Sequence, residues 1–76
     1  MPLHVDDDAG RMWTDMCDTV ALLGPDGWTV TGRDGVYDRN QAISAMTVAE
    51  ALATGLTVDH PLVRTLEAEL EEPRHG

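Results

Sequence analysis

The chain has no lysine and no phenylalanine, a single cysteine, a single serine and three aromatic residues besides histidine. Each scarcity excludes something. One cysteine, Cys17, forbids an internal disulfide, and a reducing, cytoplasmic setting fits that. No stretch approaches the ~20 consecutive apolar residues that a membrane-spanning helix needs. The N-terminal "MPLHVDDDAG" lacks both the basic segment and the apolar run of a signal peptide. Cations are also scarce. The five that exist are all arginines, set against fourteen Asp and Glu, and the net charge is −9. Bare electrostatics therefore disfavour direct contact with nucleic acid or with an anionic membrane surface.

Catalytic and metal chemistry find little support. His4, Cys17, His60 and His75 are scattered without the short paired spacing of a zinc site. "DDDAGR" and "DRNQ" cluster oxygens but miss the EF-hand pattern of ligands, central glycine and closing glutamate. The glycines at 24, 27, 32 and 35 punctuate turns and form no phosphate-binding loop. No carboxylate pair is marked by apolar surroundings. The expectation is a protein that is not an enzyme and has neither cofactor nor metal.

Seventy-six residues make one small acidic domain, with residues 1–5 and 73–76 expected to be loose. So short a chain buries only about 60% of the surface exposed by its unfolded form, and homodimerisation is a natural supplement. Asp6, Asp7 and Asp8 read as a helix start, followed by Met12, Trp13, Met16, Cys17, Val20 and Leu23 at three- and four-residue steps. This predicts an amphipathic helix with Trp13 and Cys17 on its buried stripe, ended by "GPDG". "WTVTGRDGVYD" then reads as a β-hairpin, with Tyr37 across from Trp28 and Arg33 at its tip. Asn40 is placed to cap a third element, "QAISAMTVAEALAT". The capping-box pattern Thr47 to Glu50 raises a second boundary near Val48. Gly55 stops that helix. Asp59 is placed to cap a last one, which has Pro61 in its first turn and Val63 beside Leu62, Leu66 and Leu70. The fold expected is α+β and mostly helical, in the order helix–β-hairpin–helix–helix.

The stretch from Met46 to Leu70 resembles the helix-turn-helix of bacterial regulators. Thr47, Ala51, Gly55 and Leu66 sit where that motif wants a cap, a small residue, a turn glycine and an apolar anchor. The resemblance implies a DNA-binding transcriptional regulator. Two features depart from it. "LTVDHP" is long for the motif's tight turn. The would-be reading helix sets Glu67, Glu69, Glu71 and Glu72 against Arg64 alone.

The favoured expectation is therefore a protein-binding module whose acidic surface docks on a basic protein. In size and charge it resembles small acidic phage proteins, anti-CRISPR proteins among them, that inhibit by imitating nucleic acid. Nine net charges equal the phosphate charge on about 15 Å of duplex axis. The partner-binding residues expected are Asp6, Asp7 and Asp8 in one acidic cluster, with Glu67, Glu69, Glu71 and Glu72 in the other. Trp28, Arg33 and Tyr37 are expected as the short-range anchor.

Overall fold

The computed structural model describes residues 3–71. Four strands come first: β1 (Leu3–Asp6), β2 (Arg11–Thr14), β3 (Val20–Gly24) and β4 (Gly27–Val30). Two helices follow, α1 (Arg39–Ala53) and α2 (Pro61–Glu71). The strands form one antiparallel meander in the order β1-β2-β3-β4. α1 lies across all four strands, and α2 packs on α1. The domain is α+β, but the order helix–β-hairpin–helix–helix is overturned.

The largest correction is in the first third of the chain. Residues 3–5, expected as a loose lead-in, belong to β1. Asp6 to Gly10 makes a turn: the Asp6 carboxylate accepts the Ala9 amide at 3.0 Å, and Gly10 takes φ 66. Beyond it the chain alternates with period two. Met12 and Thr14 are buried while Trp13 between them faces the other way. Ala21 pairs opposite Met12 and is buried with it. The four-residue spacing of Met12, Met16 and Val20 thus spans two strands and the loop between them. Met16, expected on a buried helical stripe, is 42% exposed in that loop.

"GPDG" does make a turn, but it joins two strands. Gly24 pairs with Gly27, leaving Pro25 and Asp26 at the tip, where proline's fixed φ suits the first central position. Trp28 and Tyr37 exchange both backbone hydrogen bonds at 2.8 Å, as the spacing leads one to expect. That contact stays a single bridge, and no further strand forms there.

The helices begin and end by local chemistry. Asp38, not Asn40, caps α1. Its carboxylate accepts the Gln41 amide at 2.7 Å, and the Gln41 side chain accepts the Asp38 amide at 3.1 Å. α1 then runs unbroken through Val48. The Thr47 hydroxyl donates back to the Ile43 carbonyl at 2.8 Å instead of capping a new helix. Gly55, at φ 106, closes α1 in a Schellman arrangement. The Leu56 amide donates to the Ala51 carbonyl at 3.0 Å and the Gly55 amide to the Leu52 carbonyl at 3.2 Å. Pro61 opens α2. His60, not Asp59, satisfies its first turn by accepting the Leu62 amide on Nδ1 at 3.1 Å.

Two connected sets of buried residues result. Met12, Ala21, Trp28 and Val30 from the sheet meet Ala42, Ala45 and Met46 of α1. Val48 and Ala51, further along α1, meet Val63 of α2 with Leu56 and Leu66 beside them. The alanines let the α1 backbone come close to the sheet.

Met12 and Met16 separate the observed fold from the helical alternative. Met12→Ala should cost about 2–5 kcal/mol in urea unfolding, the range for a fully buried large side chain. Met16→Ala should change stability by no more than about 0.5 kcal/mol. Similar losses at both sites would restore the helical stripe.

Candidate functional site

The two acidic clusters expected from the sequence converge on the first half of α1. The β1–β2 turn brings Asp7 to Arg39, the first residue of α1. Arg39 Nε donates to one Asp7 carboxylate oxygen at 2.8 Å and a second guanidinium nitrogen donates to the other at 3.1 Å. Glu69 reaches the same helix from α2. Its carboxylate accepts the Ser44 hydroxyl at 2.9 Å, and its backbone carbonyl accepts the Gln41 side chain at 3.5 Å. Arg39 and Ser44 are about 7.5 Å apart along the helix axis. Asp8 stands exposed beside Asp7, and Glu71 beyond Glu69. Asp6 is tied to its own turn through Ala9. Glu67 pairs with Arg33, and Glu72 lies outside the described residues.

Arg39 and Arg33 are paired within the molecule, while Arg64 is exposed beside Glu67 and Glu71. The hydrogen bond from Arg39 holds the Asp7 carboxyl below the usual carboxylate range. Burial by itself would lower Arg33; the hydrogen bond and charge of Glu67, with a smaller part from Tyr37, outweigh it and raise it. Arg11 lies over the Trp13 ring, 4.5 Å from its centre. On the same open face of the sheet His4 stacks on Trp13 with centroids 5.1 Å apart. Trp13, expected in the core, is half-buried between these two side chains. Trp28, expected as an exposed anchor, is instead 4% exposed beneath α1. Strand alternation explains the exchange: Trp28 shares the helix-covered face with Met12, and Trp13 points to the other. Tyr37 is half-buried, and its hydroxyl donates to the Asp34 carbonyl at 3.3 Å.

Two of the clefts border the latter half of α1. A broad one of about 540 Å³ lies between the end of β4 and α1 and is lined by Cys17, Thr19, Thr31, Arg33, Ala49 and Leu52 among others. Cys17 is half-buried there, in the β2–β3 loop and not on a helical stripe. The second is a smaller groove of about 240 Å³ between that loop and the two helices, lined by Met16, Leu56 and Leu62 with Thr47, Thr54 and Glu50. It is largely apolar, yet Glu50 is 4% exposed and its Oε2 has no hydrogen-bond partner. The nearest hydroxyls on that side of α1 are engaged elsewhere. Thr47 donates to the Ile43 carbonyl and Thr54 to the Ala51 carbonyl, each at 2.8 Å. The sequence marks Glu50 only as the fourth residue of a capping-box pattern. Its burial follows from neighbours that only the tertiary fold supplies. Among the described residues no group of three or more His, Cys, Asp and Glu is placed to hold a metal ion.

An unpaired buried carboxylate oxygen costs about 1–3 kcal/mol, and more when charged. Glu50→Met, which removes it at similar volume, should therefore raise stability by about that amount in urea unfolding. A loss would mean that the carboxylate is satisfied in the free protein. Asp7 gives a pH test with the opposite outcome. Its depressed value means that the pair's contribution is present above the ordinary aspartate range and is lost as pH falls through the folded value. In a carbon-detected NMR titration Asp7 should protonate below the ordinary aspartate range, and Arg39→Gln should move it back up.

Comparison with protein-family models, with characterised proteins and with solved structures finds no match for this chain.

Proposed function

We propose that this chain is a non-enzymatic, cytoplasmic protein-binding module that docks an acidic surface on a basic protein, and that it inhibits a nucleic-acid-binding protein by standing in for the nucleic acid. The observation that carries this reading is that acids from two distant segments are held against the first turns of α1. The Asp6–Asp8 turn arrives from one side and Glu69 from the other. Arg33 and Arg39 are already paired and Arg11 is laid on a ring, so their charge is committed within the molecule. What faces outward is an excess of carboxylates on a rigid frame. No described helix is long and apolar enough to cross a membrane, which leaves that frame free of any spanning segment among residues 3–71.

A helix-turn-helix regulator is the competing reading, and α2 argues against it. Arg64 there shares a shallow groove with Glu67 and Glu71, so its charge is offset where a phosphate would have to approach. Gel shifts with random and genomic duplex should show no binding up to tens of micromolar. A sequence-specific shift that weakens steeply with salt would restore the regulator.

Docking itself is tested by affinity capture from the source organism's lysate. The captured protein should be a nucleic-acid binder, and added duplex DNA should release it. Raising salt from 0.1 M to 1 M shortens the screening length from about 10 Å to about 3 Å and should release it too. Replacing Glu67, Glu69, Glu71 and Glu72 together with Gln should abolish capture at low salt. Each single replacement should cost under about 1 kcal/mol and act mainly on the association rate. Full capture by the fourfold variant would remove acidic docking as the mode of action.

A further inference from the structure

The groove at Glu50 combines two features that point to one kind of occupant. Its walls are apolar, from Met16 of the β2–β3 loop, Leu56 of the helix connection and Leu62 of α2. Its one charged group is Glu50, more than nine-tenths buried, with Oε2 lacking any hydrogen-bond donor. A ligand that suits both must have an apolar body and a cationic, hydrogen-bonding end. Arginine and lysine side chains have that form: an alkyl stem that packs on apolar surface and a charged head that seeks a carboxylate. The volume of about 240 Å³ suits one extended side chain and is far too small for a helix about 10–12 Å across.

We infer that this groove receives a single arginine or lysine side chain from the basic partner, with the stem against Met16, Leu56 and Leu62 and the head on the Glu50 carboxylate, whose covered Oε2 it reaches by parting the side chains over it. This rests on the reading that the chain docks a basic protein, and it adds the specific short-range contact that a diffuse acidic surface lacks. Among the described arginines of a second copy, Arg11, Arg33 and Arg39 are engaged at home and the exposed Arg64 shares its groove with Glu67 and Glu71; self-association of the free chain that Glu50→Gln abolishes would make a second copy the occupant and overturn the inference. Trp28 lies in the core and Arg33 is tied to Glu67, so this contact takes the anchoring place that the hairpin tip does not fill. The Glu50 site also differs in kind from the outer acids. Those sit in water, where screening weakens them, whereas a carboxylate in an apolar groove interacts strongly with a cation brought to it.

The test uses the full chain and a probe that needs no partner. Isotope-labelled protein is titrated with n-butylguanidinium chloride, an arginine side chain with its α-carbon and no peptide groups, and separately with n-butylurea, its neutral counterpart. Butylguanidinium should give saturable shifts of the Met16, Leu56 and Leu62 methyl signals. Butylurea should be weaker by about tenfold or more, the factor expected for losing a charge-assisted hydrogen bond. Glu50→Gln and Glu50→Met should each lose the response by at least a similar factor while keeping the dispersed spectrum of the folded chain. A variant with Glu69 and Glu71 changed to Gln should keep it. Equal response to the urea would make the groove a plain apolar site and overturn the inference. So would shifts that survive both Glu50 variants, that centre on Glu69 and Glu71, or that fail to appear. Failure here with salt-sensitive, α2-dependent capture intact defeats the groove alone. A sound groove titration without such capture defeats the acidic-docking reading instead.

Discussion

Everything in this domain depends on α1 touching both of its neighbours at once. Ala42, Ala45 and Met46 lie on the sheet against Met12, Trp28 and Val30, while Val48 and Ala51 lie against Val63 of α2. With α1 removed, the sheet would be a bare meander and α2 an isolated helix of eleven residues, too short to be stable in water. Small side chains on α1 are the condition for this double contact. They leave room for Trp28 and Met12, the bulkiest contributions from the sheet. The capping box at Asp38 and the Schellman closure at Gly55 fix where the helix begins and ends, and so which residues fall on each of its two faces.

One helix layer covers one face of a sheet, so the other face is open. Leu22, half exposed, lies there, as does Trp13. The protein covers Trp13 with its own side chains: His4 stacks on the ring from β1 and Arg11 spans it from β2. A cation over an indole gains from the ring's negative face, and the arginine remains solvated at its outer edge. The same act withdraws one more positive charge from the pool available to meet anions. An open sheet face and an acidic surface are thus joined through the same few arginines.

The chain beyond Leu23 was far more legible than the part before it. "GPDG", the Trp28–Tyr37 pairing, the stop at Gly55 and Pro61 in the first turn of α2 follow from turn and capping chemistry, which acts over four or five residues and needs no tertiary partner. Met12 to Leu23 misleads because its apolar residues fit a helical period by accident of loop length. Met12 and Val20 sit on opposite faces of the sheet, and Met16 sits on neither. Two signals pointed the other way. Thr14, Thr19 and Val20 are β-branched, and "DDDAGR" holds a turn whose Gly10 takes a left-handed φ, where a β-carbon would come to 3.0 Å from that of Leu23. The exchange of roles between the two tryptophans is the same error seen from the side chains: a helical stripe buries Trp13, and a pleated strand sends it outward.

Of the expected site, the acids were legible as clusters in the sequence, but their meeting was not. Asp7 and Glu69 reach the same helix only because the β1–β2 turn and the latter part of α2 both lie against the first half of α1. Glu50 was invisible for a different reason. In the sequence it is one glutamate among many on a helix, and the pattern around it offers a local capping role. Its physical distinction lies in what surrounds it: a loop methionine, two leucines and threonines whose hydroxyls serve the backbone. A folding chain gains nothing from holding a carboxylate there without a donor, and a methionine at that position would suit the groove's walls better. A group that costs stability and sits in a groove is best explained by what it meets on binding, when the missing donor arrives from outside. On the proposed docking, the surface acids would set how fast a basic partner is drawn in, and the buried one how long it stays.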